Sequence, residues 1–146
     1  MNLARTLYIA ITYPQRLRHR LGYGVQSPFA YELVRDVLFE RLHYYAYKEL
    51  NLRSEADRQL WRLRNHFTPQ HLVHIDSSAT DAHRIYEQTA SSATPLTALV
   101  IDGLAGTNAH LWTTVLHDPR ATVTFDLGTR GLVTFDPKRI KQNYIL

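Results

Sequence analysis

The chain has no cysteine among its 146 residues. That absence excludes a disulfide scaffold, a thiolate metal site and a cysteine nucleophile, and it fits a reducing cytoplasm. Lysine is scarce too: it occurs only at Lys48, Lys138 and Lys141, so the formal charge of +4 rests mostly on arginine. Acidic residues are missing altogether from positions 1–24, where Arg5, Arg16, Arg18 and Arg20 fall. Long hydrophobic runs are also lacking. Near the N-terminus the longest is Leu7-Tyr8-Ile9-Ala10-Ile11-Thr12-Tyr13, well short of the roughly 20 residues a spanning helix needs. The run is also too short, and has no small-residue cleavage site after it, for a signal peptide.

What remains is an ordinary globular composition, with 45% hydrophobic and 21% charged residues. The length predicts one compact domain. There is no internal repeat and no low-complexity tract. Leu3, Leu7 and Ile11 recur every four residues and predict an amphipathic helix over 2–20, interrupted or restarted at Pro14. Ser27-Pro28 is an N-cap followed by a proline at the first helical position. The helix it starts carries Phe29, Leu33, Val34, Val37 and Leu38 at core spacing and ends near Arg41. Another helix, beginning around Ala46 or after Ser54, runs to Phe67 on a stripe of Leu60, Leu63 and Phe67.

Two strand-like runs follow, Leu72-Val73-His74-Ile75-Asp76 and Ala98-Leu99-Val100-Ile101-Asp102, with a helix near 80–90 between them. A helix from Thr107 or Asn108 to His117 and two strands, 121–127 and 131–135, complete the pattern. The βαβ unit predicts parallel strands, and the closing hairpin is expected to add antiparallel strands at one edge of the sheet.

Several residue sets invite chemical readings. Asp76 and Asp102 end neighbouring strands at the edge where α/β folds place ligands. They form either a two-carboxylate cleft for a cation or general base, or a pair of turn caps, and capping is the favoured reading. The spacing of His71, His74, His110 and His117 supports no metal site. Tyr44, Tyr45 and Tyr47 could stack on a ligand, but a tyrosine cluster of this kind more often packs helices together. Gly103 and Gly106 precede a helix whose N-terminus could seat an anion, although a simple βα turn explains them. Ser27 has no base near it and serves as a cap. Arg16, Arg18 and Arg20 are candidates for an anion-binding or nucleic-acid-binding arm.

The segment Gly22-Tyr23-Gly24-Val25-Gln26-Ser27-Pro28-Phe29-Ala30-Tyr31, followed by Tyr44-Tyr45-Ala46-Tyr47-Lys48-Glu49-Leu50, resembles the N-terminal helical region of a Bacteroidetes-type group of class I S-adenosylmethionine (SAM)-dependent methyltransferases. That group carries an HG-hydrophobic-HSPF motif and then YYA(F/Y)xEIE. The run Asp118–Leu127 with Gly131-Leu132-Val133 resembles the group's closing strand pair. The resemblance implies a doubly wound sheet ending in an antiparallel strand, with SAM as cofactor.

It also defines what this chain lacks. The family's first strand ends in a motif like E-x-G-x-x-x-G. Its acidic position falls here on His74 and its two glycines on Asp76 and Thr80. Those glycines admit the methionine part of the cofactor, and a carboxylate at that position repels its carboxylate. The acid that holds the ribose hydroxyls is missing, and so are most of the βα units between the first and fifth strands. Where family members end the fifth strand in paired acids, only Asp102 remains, followed by Gly103.

The expected fold is therefore α/β: a truncated Rossmann-like, methyltransferase-like sheet of about four strands. A helical region at 1–68 packs on a shortened α/β region at 69–146. The expected function is a non-catalytic binding or assembly module with no bound cofactor and no metal. The alternatives are an active SAM-dependent methyltransferase with a rearranged site around Asp76 or Asp102, and an anion- or nucleic-acid-binding protein. The bare edge of the first strand predicts a covering N-terminal helix, or a homo-oligomer or protein partner paired through that edge.

Overall fold

A computed structural model describes residues 2–146. Its order is α1 (Leu3–Arg20), α2 (Pro28–Leu33), a π-helical turn (Val34–Leu38), α3 (Tyr45–Glu49), α4 (Glu55–Phe67), β1 (Leu72–Ile75), α5 (Ala82–Ser92), β2 (Ala98–Asp102), α6 (Ala109–His117), β3 (Val123–Asp126), β4 (Arg130–Thr134) and β5 (Gln142–Ile145). Among the described residues the strands form one five-stranded sheet in the order β1-β2-β4-β3-β5. No helix among them is long and apolar enough to cross a membrane.

The sheet is mixed, and its pairing corrects the expectation of a hairpin at the edge. β1 and β2 are parallel, with Ile75 beside Ile101. β4 inserts antiparallel between β2 and β3, and β5 adds parallel to β3. The sole antiparallel strand is thus interior. β5 is the fifth strand, where about four were expected. Its burial alternates poorly and only Tyr144 enters the core fully, so a sequence pattern has little to detect.

Helices cover both faces. On one, Leu33, Val34, Val37 and Leu38 join Leu63 of α4 over Val100, Phe125 and Leu132. On the other, Tyr86 of α5 and Leu111, Trp112 and Val115 of α6 pack on Leu99, Ile101 and Val133. Strands buried on both faces read as continuous apolar runs rather than alternating ones, as Ala98–Ile101 does. The Trp112 ring lies so close to Gly131 that a Cβ there would overlap it.

Local signals act where expected. The Ser27 hydroxyl accepts from Ala30 N, and the Ser54 hydroxyl from Asp57 N at 3.0 Å. The helix started by Ser27 ends in the π turn at Leu38, short of Arg41. Its terminal carbonyls are taken up by α4: Arg62 Nε donates to Val37 O at 2.6 Å, and Gln59 Nε2 to Leu38 O at 3.2 Å. The tyrosine link forms the short α3. Tyr44 and Tyr47 pack against Trp61, with ring centroids 5.5 Å apart.

Helix α1 differs from its predicted form twice. It runs unbroken through Pro14, because Ala10 and Pro14 lie on its exposed side, where the carbonyl left without a proline N–H faces solvent. It also packs beside β5, at the opposite edge of the sheet from β1.

Candidate functional site

A cleft of about 720 Å³ opens beyond the carboxyl end of β2, between the sheet, the N-terminus of α6 and the helical region. Ser77, Asp102, Gly103, Thr107 and Arg130 border it from the sheet side, and Arg20, Phe39 and Glu55 from the helical side. This is where open α/β sheets bind ligands, and the volume is in the range of small-molecule sites.

The polar centre of this end of the sheet is a chain of three side chains. His74 Nε2 lies 2.8 Å from Asp102 Oδ2. Arg130 grips the same carboxylate from the far side, Nε to Oδ1 at 2.6 Å and Nη2 to Oδ2 at 2.9 Å. The sheet register makes this possible: Asp102 ends β2 directly opposite Arg130, which begins β4. Arg130 Nη1 also donates to Ala56 O at 2.6 Å, tying the sheet to α4. Burial alone would raise the Asp102 carboxyl. The hydrogen bonds from His74 and Arg130, with the guanidinium charge, outweigh it and hold the group at about 2.

Asp76 ends the adjacent strand but behaves differently. It is exposed, and its Oδ1 accepts from Ser78 N at 2.8 Å and Ser78 Oγ at 2.6 Å. These bonds close an Asx turn and lower its pKa. Thr107 Oγ1 donates to Ser77 O at 2.7 Å, so the start of α6 is tied to the same turn. Gly103 is needed for this approach: it has φ +81°, and a Cβ there would lie 2.7 Å from Thr107 Oγ1 and 3.1 Å from Ser77 Cβ.

His74, Asp76 and Asp102 place one ligand atom each within 4.8 Å of one another. Among the described residues they are the only such group of three histidine or acidic side chains. The set resembles a divalent-cation site in composition, but Arg130 already occupies both oxygens of Asp102, and a cation would sit against the guanidinium.

The arginine candidates do not act together. Arg16 is 1% exposed. Its Nη1 donates to Asp126 O at 3.0 Å and Leu146 O at 2.9 Å, and its Nε to Thr12 Oγ1 at 2.8 Å. It is an internal clasp and no part of an exposed arm. Arg18 projects to solvent from the opposite side of α1. Arg20 borders the cleft, stacks its guanidinium over Phe39 at 5.1 Å, and has a buried Nε without a partner. Burial, reinforced by the Arg16 charge, lowers its pKa.

Arg130 and Asp126 were not foreseen from the sequence. The one available signal for Arg130 was a lone arginine directly before an apolar strand. Nothing local marks Asp126 as the acceptor of both Arg5, at 2.7 and 2.8 Å, and Arg16, at 3.2 Å. Comparison with protein-family models, with curated proteins and with solved structures finds no match to this chain.

Proposed function

We propose that this chain is a shortened relative of the class I SAM-dependent methyltransferases that binds or assembles without transferring a methyl group. One observation carries the reading. Asp76 stands where the resembling family has its first cofactor glycine, and its carboxylate closes the turn after β1 on Ser78. The position is both charged and occupied, where the cofactor's own carboxylate would have to approach. His74, at the family's acidic position, is held by Asp102. The parallel β1–β2 pair, the helices on both faces and the interior antiparallel β4 support kinship with that fold. The lack of cysteine is in keeping with a cytoplasmic place of action.

Isothermal titration with SAM tests the proposal. No heat of binding is expected at millimolar SAM. Micromolar binding would favour the alternative, an active enzyme with a rearranged site at Asp76 or Asp102.

A second reading, binding of a small anion, is favoured by Arg20, whose buried Nε is unpartnered beside the open cleft. Inorganic phosphate should then raise the melting temperature of the wild-type protein and leave Arg20→Ala unchanged. An equal response in both proteins overturns it. Salt-sensitive retention on DNA, lost in Arg18→Ala, would instead assign the arginines to a nucleic acid.

A further inference from the structure

The cleft at the end of the sheet does not stand alone. A second cavity of about 930 Å³ lies within the helical region, between the end of α1, the segment after the π turn, and α4. Arg20, Phe39 and Glu55 line both, so the two meet at these side chains and form one groove. Its two ends differ in charge. Arg20, Arg35, Arg41, Arg58 and Arg62 line the helical end, against Asp36, Glu40 and Glu55. The cleft end carries Arg20 and Arg130 against Glu55 and Asp102, and its other walls include Phe39, Ala56, Ala105 and Leu127.

The helical end holds more positive charge than the protein itself compensates. Among the described residues, Arg62 alone of the five arginines is ion-paired, to Glu55 at 2.6 Å. Arg58 Nε donates to Leu52 O at 3.0 Å and Arg35 Nη1 to the Tyr31 hydroxyl at 2.8 Å, neutral acceptors that leave the charges in place. Arg20 keeps its buried, unpartnered Nε. Burial and the Arg16 charge lower its pKa, and no carboxylate raises it. Glu40 is turned to its own backbone, accepting from Arg41 N at 2.7 Å and Leu42 N at 2.9 Å. A concave wall with one sign of charge in excess concentrates the opposite ion, and guanidinium groups match phosphate oxygens in geometry. The cleft end has no such surplus, because Asp102 holds Arg130 through both carboxylate oxygens.

We propose that this groove binds a nucleoside 5′-phosphate, with the phosphate among the arginines of the helical end and the base in the cleft. The proposal rests on the anion-binding reading of Arg20 and gives that anion a body. The order of chemistry along the groove is the order of groups in such a ligand. Cations come first, for the phosphate. At the junction the Glu55 carboxylate, 64% exposed, is an acceptor for ribose hydroxyls, the use to which α/β nucleotide sites put an acid. Phe39 and the small apolar side chains of the cleft then offer a surface for the flat face of a base. Either cavity is far larger than inorganic phosphate fills, and both lie in the range of small-molecule sites.

Isothermal titration of the full chain with adenosine 5′-monophosphate, inorganic phosphate and adenosine tests the proposal. The monophosphate should bind at least about tenfold more tightly than either of the other two. Arg41→Ala, exposed and lining the helical end alone, should weaken the monophosphate and inorganic phosphate by the same factor. Ala56→Trp, exposed and lining the cleft alone, should bring the monophosphate down to the level of inorganic phosphate and leave phosphate binding as it is. Both variants should keep the wild-type melting temperature, since neither side chain belongs to the core. Equal binding of monophosphate and inorganic phosphate by the wild-type protein would overturn the proposal and leave the small-anion reading standing. No binding of either would remove both. Adenosine binding as tightly as the monophosphate, or an Ala56→Trp protein that still prefers the monophosphate, would also overturn the proposal.

Discussion

Asp76 and Asp102 are the same residue in the same place twice over. Each follows a four-residue apolar-edged strand segment, and the two strands lie parallel and in register, with Ile75 beside Ile101. Their fates differ because of what reaches them. β1 lies at the sheet's edge, and the Asp76 carboxylate takes its hydrogen bonds from its own neighbour Ser78. β2 is interior, and β4 brings Arg130 directly opposite Asp102 while His74 reaches it from β1. A carboxylate at a strand end becomes a local cap or a part-buried ion pair according to the strand next door.

Breaking the ion pair should have the largest effect. Asp102→Ala leaves Arg130, nearly buried, without its counter-charge, and should cost about 3 kcal/mol in urea unfolding, the lower end for a broken buried pair.

Acid should act next. The folded-state pKa of Asp102 is depressed to about 2 from an ordinary value near 3.8, so its contribution is fully present above that ordinary value and is lost as pH falls through about 2. At roughly 1.4 kcal/mol per pKa unit, discounted because solvent partly screens this half-buried carboxylate, this is between about 1 and 2 kcal/mol. Unfolding measured from pH 5 downward should show this loss in wild type and a flatter acid limb in Asp102→Asn. Parallel limbs would mean that Asp102 is not the group responsible.

A smaller effect is expected for His74→Ala, which removes one of the carboxylate's hydrogen bonds but leaves the bidentate Arg130 grip: about 1 kcal/mol by the same measurement. The smallest is Asp76→Ala. It loosens an exposed turn and should leave the unfolding midpoint unchanged within error. A loss matching that of Asp102→Ala would erase the contrast between the two strand ends.

Much of the local structure was legible because its causes are local. Ser27-Pro28 and Ser54 cap the helices they precede, and the apolar run Ala98–Ile101 becomes an interior strand buried on both faces. β5 was not legible: Pro137, two lysines and a polar start conceal a four-residue strand whose only firm core contact is Tyr144. The position of β4 was equally hidden, since a hairpin has the same sequence pattern at an edge or between two strands. At the candidate site, Asp76 and Asp102 were found but not distinguished, and Arg130 was passed over.

The two sides of α1 show where the division lies. Its sequence by itself determined a helix with one leucine-rich and one arginine-bearing side, because side-chain period and backbone propensity act within a few residues. Which side faces inward was decided by tertiary structure alone. The strand ends supply a buried carboxylate at Asp126 and the Leu146 carbonyl, and Arg5 and Arg16 must meet them or leave them unpaired. Hydrophobic burial has no direction and can be satisfied against many surfaces. A buried charge needs one particular partner, and here that partner lies more than a hundred residues away.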